Sequence, residues 1–264
     1  MTICLVIRGS EGIVLAADSR TTAIADMPFG GTQLVPMDNT AVKLFSFKEP
    51  NTAIGVVIHG SGAIDQKPLS TYIPDFEATL PAQRLTIQDF AQQLSDFFMR
   101  QWKTLMPTDF KGPDISFIVA GFGANQLNSK VLSFDIPGHP QVVEKKPDIK
   151  NEYLEIFLGG RHEFIDRLIR GFDPELPKII ADQYELEPQE IQSLEERFKK
   201  LEPKIILKSL QEHVDLAAYL VKTTIDAEKL LVPWRQSCGG ETDIATITWG
   251  NPLQFVQRKK IADE

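Results

Sequence analysis

An α+β fold is the expectation for this chain, and three observations carry it. Short runs rich in Ile and Val recur towards both ends, separated by turns containing Gly or Pro. Two helical blocks interrupt those runs, one with strong 3.6-residue periodicity and one longer and more charged. The chain has 264 residues, 42% hydrophobic and 24% charged, with no low-complexity linker or internal repeat. Such a composition suits a globular protein, and a single domain over 1–264 is expected.

Thr2 to Arg8 opens the chain as an apolar run, and Ile13 to Ala17 answers it across the turn Gly9-Ser10-Glu11-Gly12. Short β-branched runs around a Gly-containing turn read as a hairpin. The second strand ends in Asp18-Ser19-Arg20, followed by Thr21 and Thr22. A tight hairpin returns Asp18 and Arg20 to the neighbourhood of Thr2. Unpaired buried charge is costly, so these groups are expected to find partners there. Val42 to Phe47 and Ala53 to Gly60 are further strands. Leu85 to Leu105 is an amphipathic helix, with Phe90, Leu94, Phe97, Phe98, Trp102 and Leu105 at helical spacing. Thr86, three residues before Asp89, supplies a start signal.

Strands are expected next at Ile115–Ala120, Lys130–Phe134, Gln141–Lys145 and Glu155–Leu158. From Arg161 to Leu231 the pattern is helical. One segment runs from His162 to Ile169, and a second carries Ile191, Leu194, Phe198 and Leu201. A third is read from Pro203 through Ile206, Leu210, Val214, Ala217 and Val221. Strands return at Asp243–Thr248 and Leu253–Val256.

Charge and composition exclude several classes. The net charge is −8, and Arg258-Lys259-Lys260, the one dense basic cluster, falls at an end expected to fray, so nucleic acid is not expected as a partner. Two cysteines, Cys4 and Cys238, provide no disulfide framework and point to a reducing compartment. No apolar run approaches the roughly 20 residues needed to span a bilayer, and the opening lacks signal-peptide character, so a cytoplasmic protein without membrane attachment is expected. The histidines His59, His139, His162 and His213 have no metal-ligand spacing, so no metal is expected.

Thr2 to Arg20 resembles the start of a mature proteasome β-type subunit, where an N-terminal Thr, a Gly turn and an apolar strand lead to Ala-Asp-Ser-Arg. Here that run is Ala17-Asp18-Ser19-Arg20. Val42-Lys43-Leu44-Phe45-Ser46-Phe47 is similar to the strand that carries the family's catalytic lysine. Gly239-Gly240-Glu241-Thr242-Asp243 through Thr248 resembles its Gly-Gly turn and returning strand. The resemblance implies a four-layer αββα sandwich of two antiparallel sheets flanked by helices, the N-terminal-nucleophile hydrolase fold. It also implies a threonine endopeptidase with Thr2, Asp18 and Lys43 as catalytic residues. Gly60, Arg20 and Thr22 become oxyanion or substrate-binding positions, with Ser237, Cys238 and Gly239 as accessory ones. A peptide or unfolded protein would be the substrate, no cofactor is required, and a homo-oligomeric ring would be formed. Such a ring leaves room for an ATP-dependent unfoldase as partner.

The chemistry suits those residues. A small second residue favours removal of Met1, which would give Thr2 a hydroxyl and a free α-amine together. The amine, with a pKa of roughly 7.7–8.0 in model peptides, can accept the hydroxyl proton near neutral pH. Lys43 can act as a cation favouring the alkoxide or, when neutral, as the base, and Asp18 would hold it.

The chain departs from the family in several places. A segment at about 23–40, including Met27-Pro28-Phe29-Gly30-Gly31, is an inserted loop, and about 172–203 is added helical material. Leu158-Gly159-Gly160 lacks the serine of the family's Gly-Ser-Gly element. In Arg235-Gln236-Ser237-Cys238-Gly239-Gly240, Arg235 stands in place of an aspartate and Cys238 in place of a serine, with Ser237 one step away. These differences keep a non-catalytic, ring-forming interaction protein open as an alternative, along with an amidase acting on a small amide. Cys238 reads as a buried cysteine rather than a reactive thiol. Asp226 and Glu228 could approach the site from the last helix, but a solvated helix face is the expectation for both.

Overall fold

The computed structural model describes residues 2–26, 32–124, 128–200 and 202–259. The strands of the first half are β1 (Ile3–Gly9), β2 (Ile13–Ala17), β3 (Thr21–Asp26), β4 (Thr32–Asp38), β5 (Leu44–Ser46), β6 (Ile54–Gly60), β7 (Ala63–Ile64) and β8 (Lys67–Pro68). Helices α1 (Ile73–Thr79) and α2 (Ile87–Leu105) follow, then β9 (Ile115–Gly121), β10 (Lys130–Ile136), β11 (His139–Glu144), β12 (Ile149–Lys150) and β13 (Leu154–Gly160). Helices α3 (Glu163–Arg170), α4 (Leu176–Gln183), α5 (Pro188–Lys199) and α6 (Leu210–Leu231) lead to β14 (Asp243–Ile247) and β15 (Gln254–Gln257). The fold is thus mixed α and β, with antiparallel sheets and six α-helices among the described residues.

Two sheets dominate. One has six strands in the order β12-β13-β1-β2-β14-β15, and the other five in the order β11-β10-β9-β6-β5. β1 and β2 form the expected hairpin, with Cys4 opposite Ala17 and Ile7 opposite Val14. The Gly9 N–H closes the turn on the Gly12 carbonyl at 2.9 Å. Residues from Ile3 to Ile7 and from Ile13 to Ala17 are buried without alternation, because both faces of this sheet are covered. On one face β1, β2 and β13 meet β6 of the other sheet, and on the other face α6 packs against β1, β2 and β14. Val6, Leu15, Val57, Ile118 and Phe157 belong to the buried cluster on the sheet-to-sheet side.

Helix α2 covers the far face of the five-stranded sheet, against β9, β10 and β11. Its start is fixed by Thr86, whose Oγ accepts from the Asp89 N–H at 3.1 Å and donates to the Asp89 carboxylate at 2.6 Å. The stripe expected from periodicity is the one that is buried, including Phe90, Leu94, Phe98 and Trp102. Helix α1, which carries no long periodic pattern, adds Ile73 and Phe76 to the same core.

The chain parts into two compact units, Met1–Arg161 with Leu207–Glu264, and His162–Ile206. The smaller holds α3, α4 and α5. Within it Phe172 packs on Phe198, with ring centroids 4.7 Å apart, and a Glu187–Glu190 capping box starts α5.

Three expectations are corrected. The segment at about 23–40 is not a loop: β3 and β4 pair as a two-stranded sheet, Ala23 opposite Val35. Met27 to Gly31 lie outside the described residues. The third helical segment starts at Leu210 rather than at Pro203, because Ser209 caps it through a reciprocal bond with Glu212, and Ile206 is exposed. The Arg258-Lys259 end is also not frayed at Lys259, which is buried. Its ammonium donates to Asp243 at 2.6 Å and to the Ala41 carbonyl at 2.8 Å. Pairing of β15 with β14 brings it there. Lys260 lies outside the described residues.

The aromatic core makes a direct stability prediction. Phe90 is fully buried and meets Phe47 and Phe76 edge to face, at centroid distances of 4.8 and 5.5 Å. Phe90→Ala should cost about 3–5 kcal/mol, read as a lower urea midpoint at unchanged m-value.

Candidate active site

Thr2 lies just ahead of β1 and is buried. Its carbonyl accepts the Arg161 N–H at 2.8 Å. Ile3 pairs with Gly160 at the end of β13, and Gly160 has φ +79°. A Cβ at Gly160 would run into the Thr2 carbonyl oxygen, so only glycine lets the two backbones meet here.

Asp18 follows β2 and reaches back across the hairpin, as its place in the sequence requires. Its Oδ1 accepts from Lys43 Nζ at 2.8 Å and from the Ile3 N–H at 3.2 Å. Its Oδ2 accepts from the Gly239 N–H at 3.0 Å and the Arg20 N–H at 3.3 Å. Lys43 immediately precedes β5, and it also donates to the Arg20 carbonyl at 2.5 Å. Both partners of this ion pair are buried. An ammonium has three N–H bonds, so two are used by these acceptors.

Thr2 and Lys43 line one cleft of about 720 Å³. Thr22 and Gly60 line it as well, together with Thr21, His59 and Ser61, and apolar wall comes from Leu34, Val42, Ile58 and Leu69. Gly60 closes β6 with φ +83°, and a Cβ there would meet the Asp114 carbonyl oxygen. Ser61 donates to that same carbonyl at 2.9 Å. The structure therefore brings Thr2, Asp18, Lys43, Thr22 and Gly60 together.

Arg20 contributes differently from a substrate-binding guanidinium. Its Nε donates to Asn39 at 2.9 Å and its Nη1 to Gln236 at 3.3 Å, while its backbone serves the Asp18–Lys43 pair. The cation paired with Asp18 is Lys43, and Arg20 reaches that carboxylate only through its backbone N–H.

Ser237, Cys238 and Gly239 are buried beside this centre. Gly239 is held at both ends of its peptide, with its N–H on Asp18 and its carbonyl accepting from the Ser19 N–H at 3.1 Å. Burial raises the Cys238 thiol pKa, with the Asp18 and Glu228 carboxylates adding to the effect. Cys4 is pushed up to about 12, first by burial and then by Asp18. Neither is a thiolate at neutral pH.

The expectation of a solvated face is corrected for Glu228, which takes the alternative course towards the site. It is fully buried in α6 and accepts from the N–H groups of Ser237 and Cys238, while Asp226 is half-buried and pairs with Lys222 at 2.7 Å. The signal lay in the helix period: Ala217, Val221, Thr224 and Glu228 fall on one stripe, and all are buried. Among the described residues no group of three or more His, Cys, Asp or Glu could hold a metal, and no helix is long and apolar enough to cross a membrane.

No family model matches the chain, and no curated protein does. Solved structures do resemble it. The Gly-1 mutant of Anbu from Hyphomicrobium sp. strain MC1 superposes with a TM-score of 0.54 at 16% identity, over 100% of this chain and 89% of that one. Anbu from Pseudomonas aeruginosa, solved as a helical assembly, gives 0.53 at 16% identity, over 93% and 81%. Anbu, the ancestral beta-subunit, from Yersinia bercovieri gives 0.47 at 16% identity, over 95% and 82%. At this identity the likeness concerns the fold alone.

The thiols give a pH prediction. Both keep their protons further into the alkaline range when folded than when unfolded. Their contribution to stability is complete below the ordinary value of 9.0 and is lost as pH rises from there, towards about 12 for Cys4. Ellman's reagent should label neither thiol in the folded protein at pH 8, and both in denaturant. Rapid labelling of the native protein would contradict the burial of Cys4 and Cys238.

Proposed function

We propose that this chain is a proteasome β-type threonine peptidase, hydrolysing peptide bonds through an acyl-enzyme on Thr2 once Met1 is removed. The observation that carries this reading is the buried Lys43–Asp18 pair at 2.8 Å, on the wall of the cleft that Thr2 and Gly60 also line. In this reading the two main sheets, with α6 outside one and α2 outside the other, form a four-layer αββα sandwich.

The reaction follows from the placement. Thr2 Oγ attacks the scissile carbonyl carbon while its proton passes to the Thr2 α-amine, directly or through water. Charged Lys43, held by Asp18 and the Arg20 carbonyl, favours the developing alkoxide electrostatically. The Gly60 N–H is assigned to the oxyanion, since glycine there lets the backbone approach a reacting carbonyl. Collapse breaks the C–N bond, and the departing amine takes the proton from the α-amine. Water then attacks the Thr2 ester, giving its proton to the same α-amine, and the acid leaves as Oγ recovers a hydrogen.

Leu34, Val42, Ile58 and Leu69 on the cleft wall favour an apolar side chain before the scissile bond. The volume favours a peptide over a small amide. The helical assembly of the Pseudomonas aeruginosa neighbour supports multi-subunit association for this chain too, as a ring if the rotation between copies closes and as a helix if it does not. A cytoplasmic location fits two buried, unpaired cysteines.

Thr2→Ala should abolish hydrolysis of a fluorogenic peptide with Leu or Phe before the leaving group, leaving the circular dichroism spectrum intact. Lys43→Ala should lower kcat at least ~10²-fold, the scale of removing one electrostatic stabiliser. Turnover by Thr2→Ala near the wild-type rate would rule the assignment out.

A further inference from the structure

Glu228 occupies the last turn of α6, the helix end that disfavours negative charge, yet it has no exposed surface. Four donors converge on it. Oε2 accepts from the Ser237 and Cys238 N–H groups, both at 2.7 Å. Oε1 accepts from the Ser237 hydroxyl at 2.7 Å and from Arg161 Nε at 3.2 Å. Stability alone does not call for this arrangement, because well-packed apolar residues commonly replace a buried ion pair without loss.

What links these donors to the nucleophile is the backbone that carries them. Arg161 gives its side chain to Glu228 and its own N–H to the Thr2 carbonyl. Cys238 gives its N–H to Glu228, and the next residue, Gly239, gives its N–H to Asp18. One carboxylate therefore fixes both backbone contacts that seat the site, one on Thr2 and one on the anion that holds Lys43.

We propose that Glu228 is a positioning residue for the Thr2 reaction, a buried carboxylate supplied from helix α6. This inference rests on the peptidase reading for its kinetic consequence, though not for its structural one. Glu228 touches no substrate. It acts by holding Arg161 and the 237–239 segment at fixed separation, so that Thr2 Oγ, its amine and Lys43 keep their mutual geometry.

The test is Glu228→Gln, with Asp226→Asn, a carboxylate of the same helix turned to Lys222, as a control. The amide oxygen of Gln can keep the two backbone donors, but its NH2 cannot accept from Arg161. Glu228→Gln should lower kcat about 10- to 100-fold, the scale of a small displacement at a reacting centre. KM should stay within about twofold, as for an interaction expressed only in the transition state. Asp226→Asn should match the wild type. A wild-type kcat in Glu228→Gln, or a loss confined to KM, would overturn the proposal.

Amide hydrogen exchange gives a second readout that needs no turnover. In Glu228→Gln the Arg161 and Gly239 amides should exchange at least ~10-fold faster while the core strands are unchanged. If the wild-type chain itself proves inert, that acceleration still supports the linkage, and the silence counts against the peptidase reading alone. Unchanged exchange at both amides overturns the linkage whatever the activity.

Discussion

The Asp18 carboxylate accepts four hydrogen bonds, and each comes from a different part of the larger unit or a different turn of its chain. Ile3 belongs to the first strand, Arg20 to the exit from the second, Lys43 to the approach to the other sheet, and Gly239 to the segment that leads into β14. A fully buried carboxylate is tolerable only when its lone pairs are occupied and a cation is at hand. Satisfying Asp18 therefore fixes where those four segments meet. Thr2 is placed as a consequence: its neighbour Ile3 is bonded to Asp18 on one side, and its own carbonyl is taken by Arg161 on the other.

The same arrangement determines what Lys43 can do. In the proposed reaction an ammonium held by Asp18 and by the Arg20 carbonyl is already in place when substrate arrives. Preorganised charge costs no reorganisation during reaction, which is why such groups contribute strongly to catalysis. The two cysteines beside it do not compete as nucleophiles, since burial and the Asp18 charge hold both in the thiol form.

Much of this was legible in the sequence because it depends on local spacing. The β1–β2 hairpin follows from two apolar runs around a Gly-containing turn, and it alone brings Asp18 back to Thr2. Helix α2 follows from an apolar stripe of six positions and from the Thr86 cap. Three features lay beyond such reasoning. The β3–β4 hairpin pairs residues from a stretch whose Gly and Pro content suggests a loop. Lys259 is buried because β15 pairs with β14, a contact between strands that composition does not reveal. Glu228 looks like surface because charged residues flank it, and only its phase with Ala217, Val221 and Thr224 marks it as inward. The fold likeness to Anbu is of the same kind, since it holds at only 16% identity.

The most direct test of the central claim is the intact mass of the purified protein before and after exposure to a peptide epoxyketone, which closes a ring on the hydroxyl and the free amine of an N-terminal threonine together. The account predicts a chain lacking Met1 that gains the mass of one probe, with no gain in Thr2→Ala. A chain that keeps Met1 and takes up no probe would contradict it.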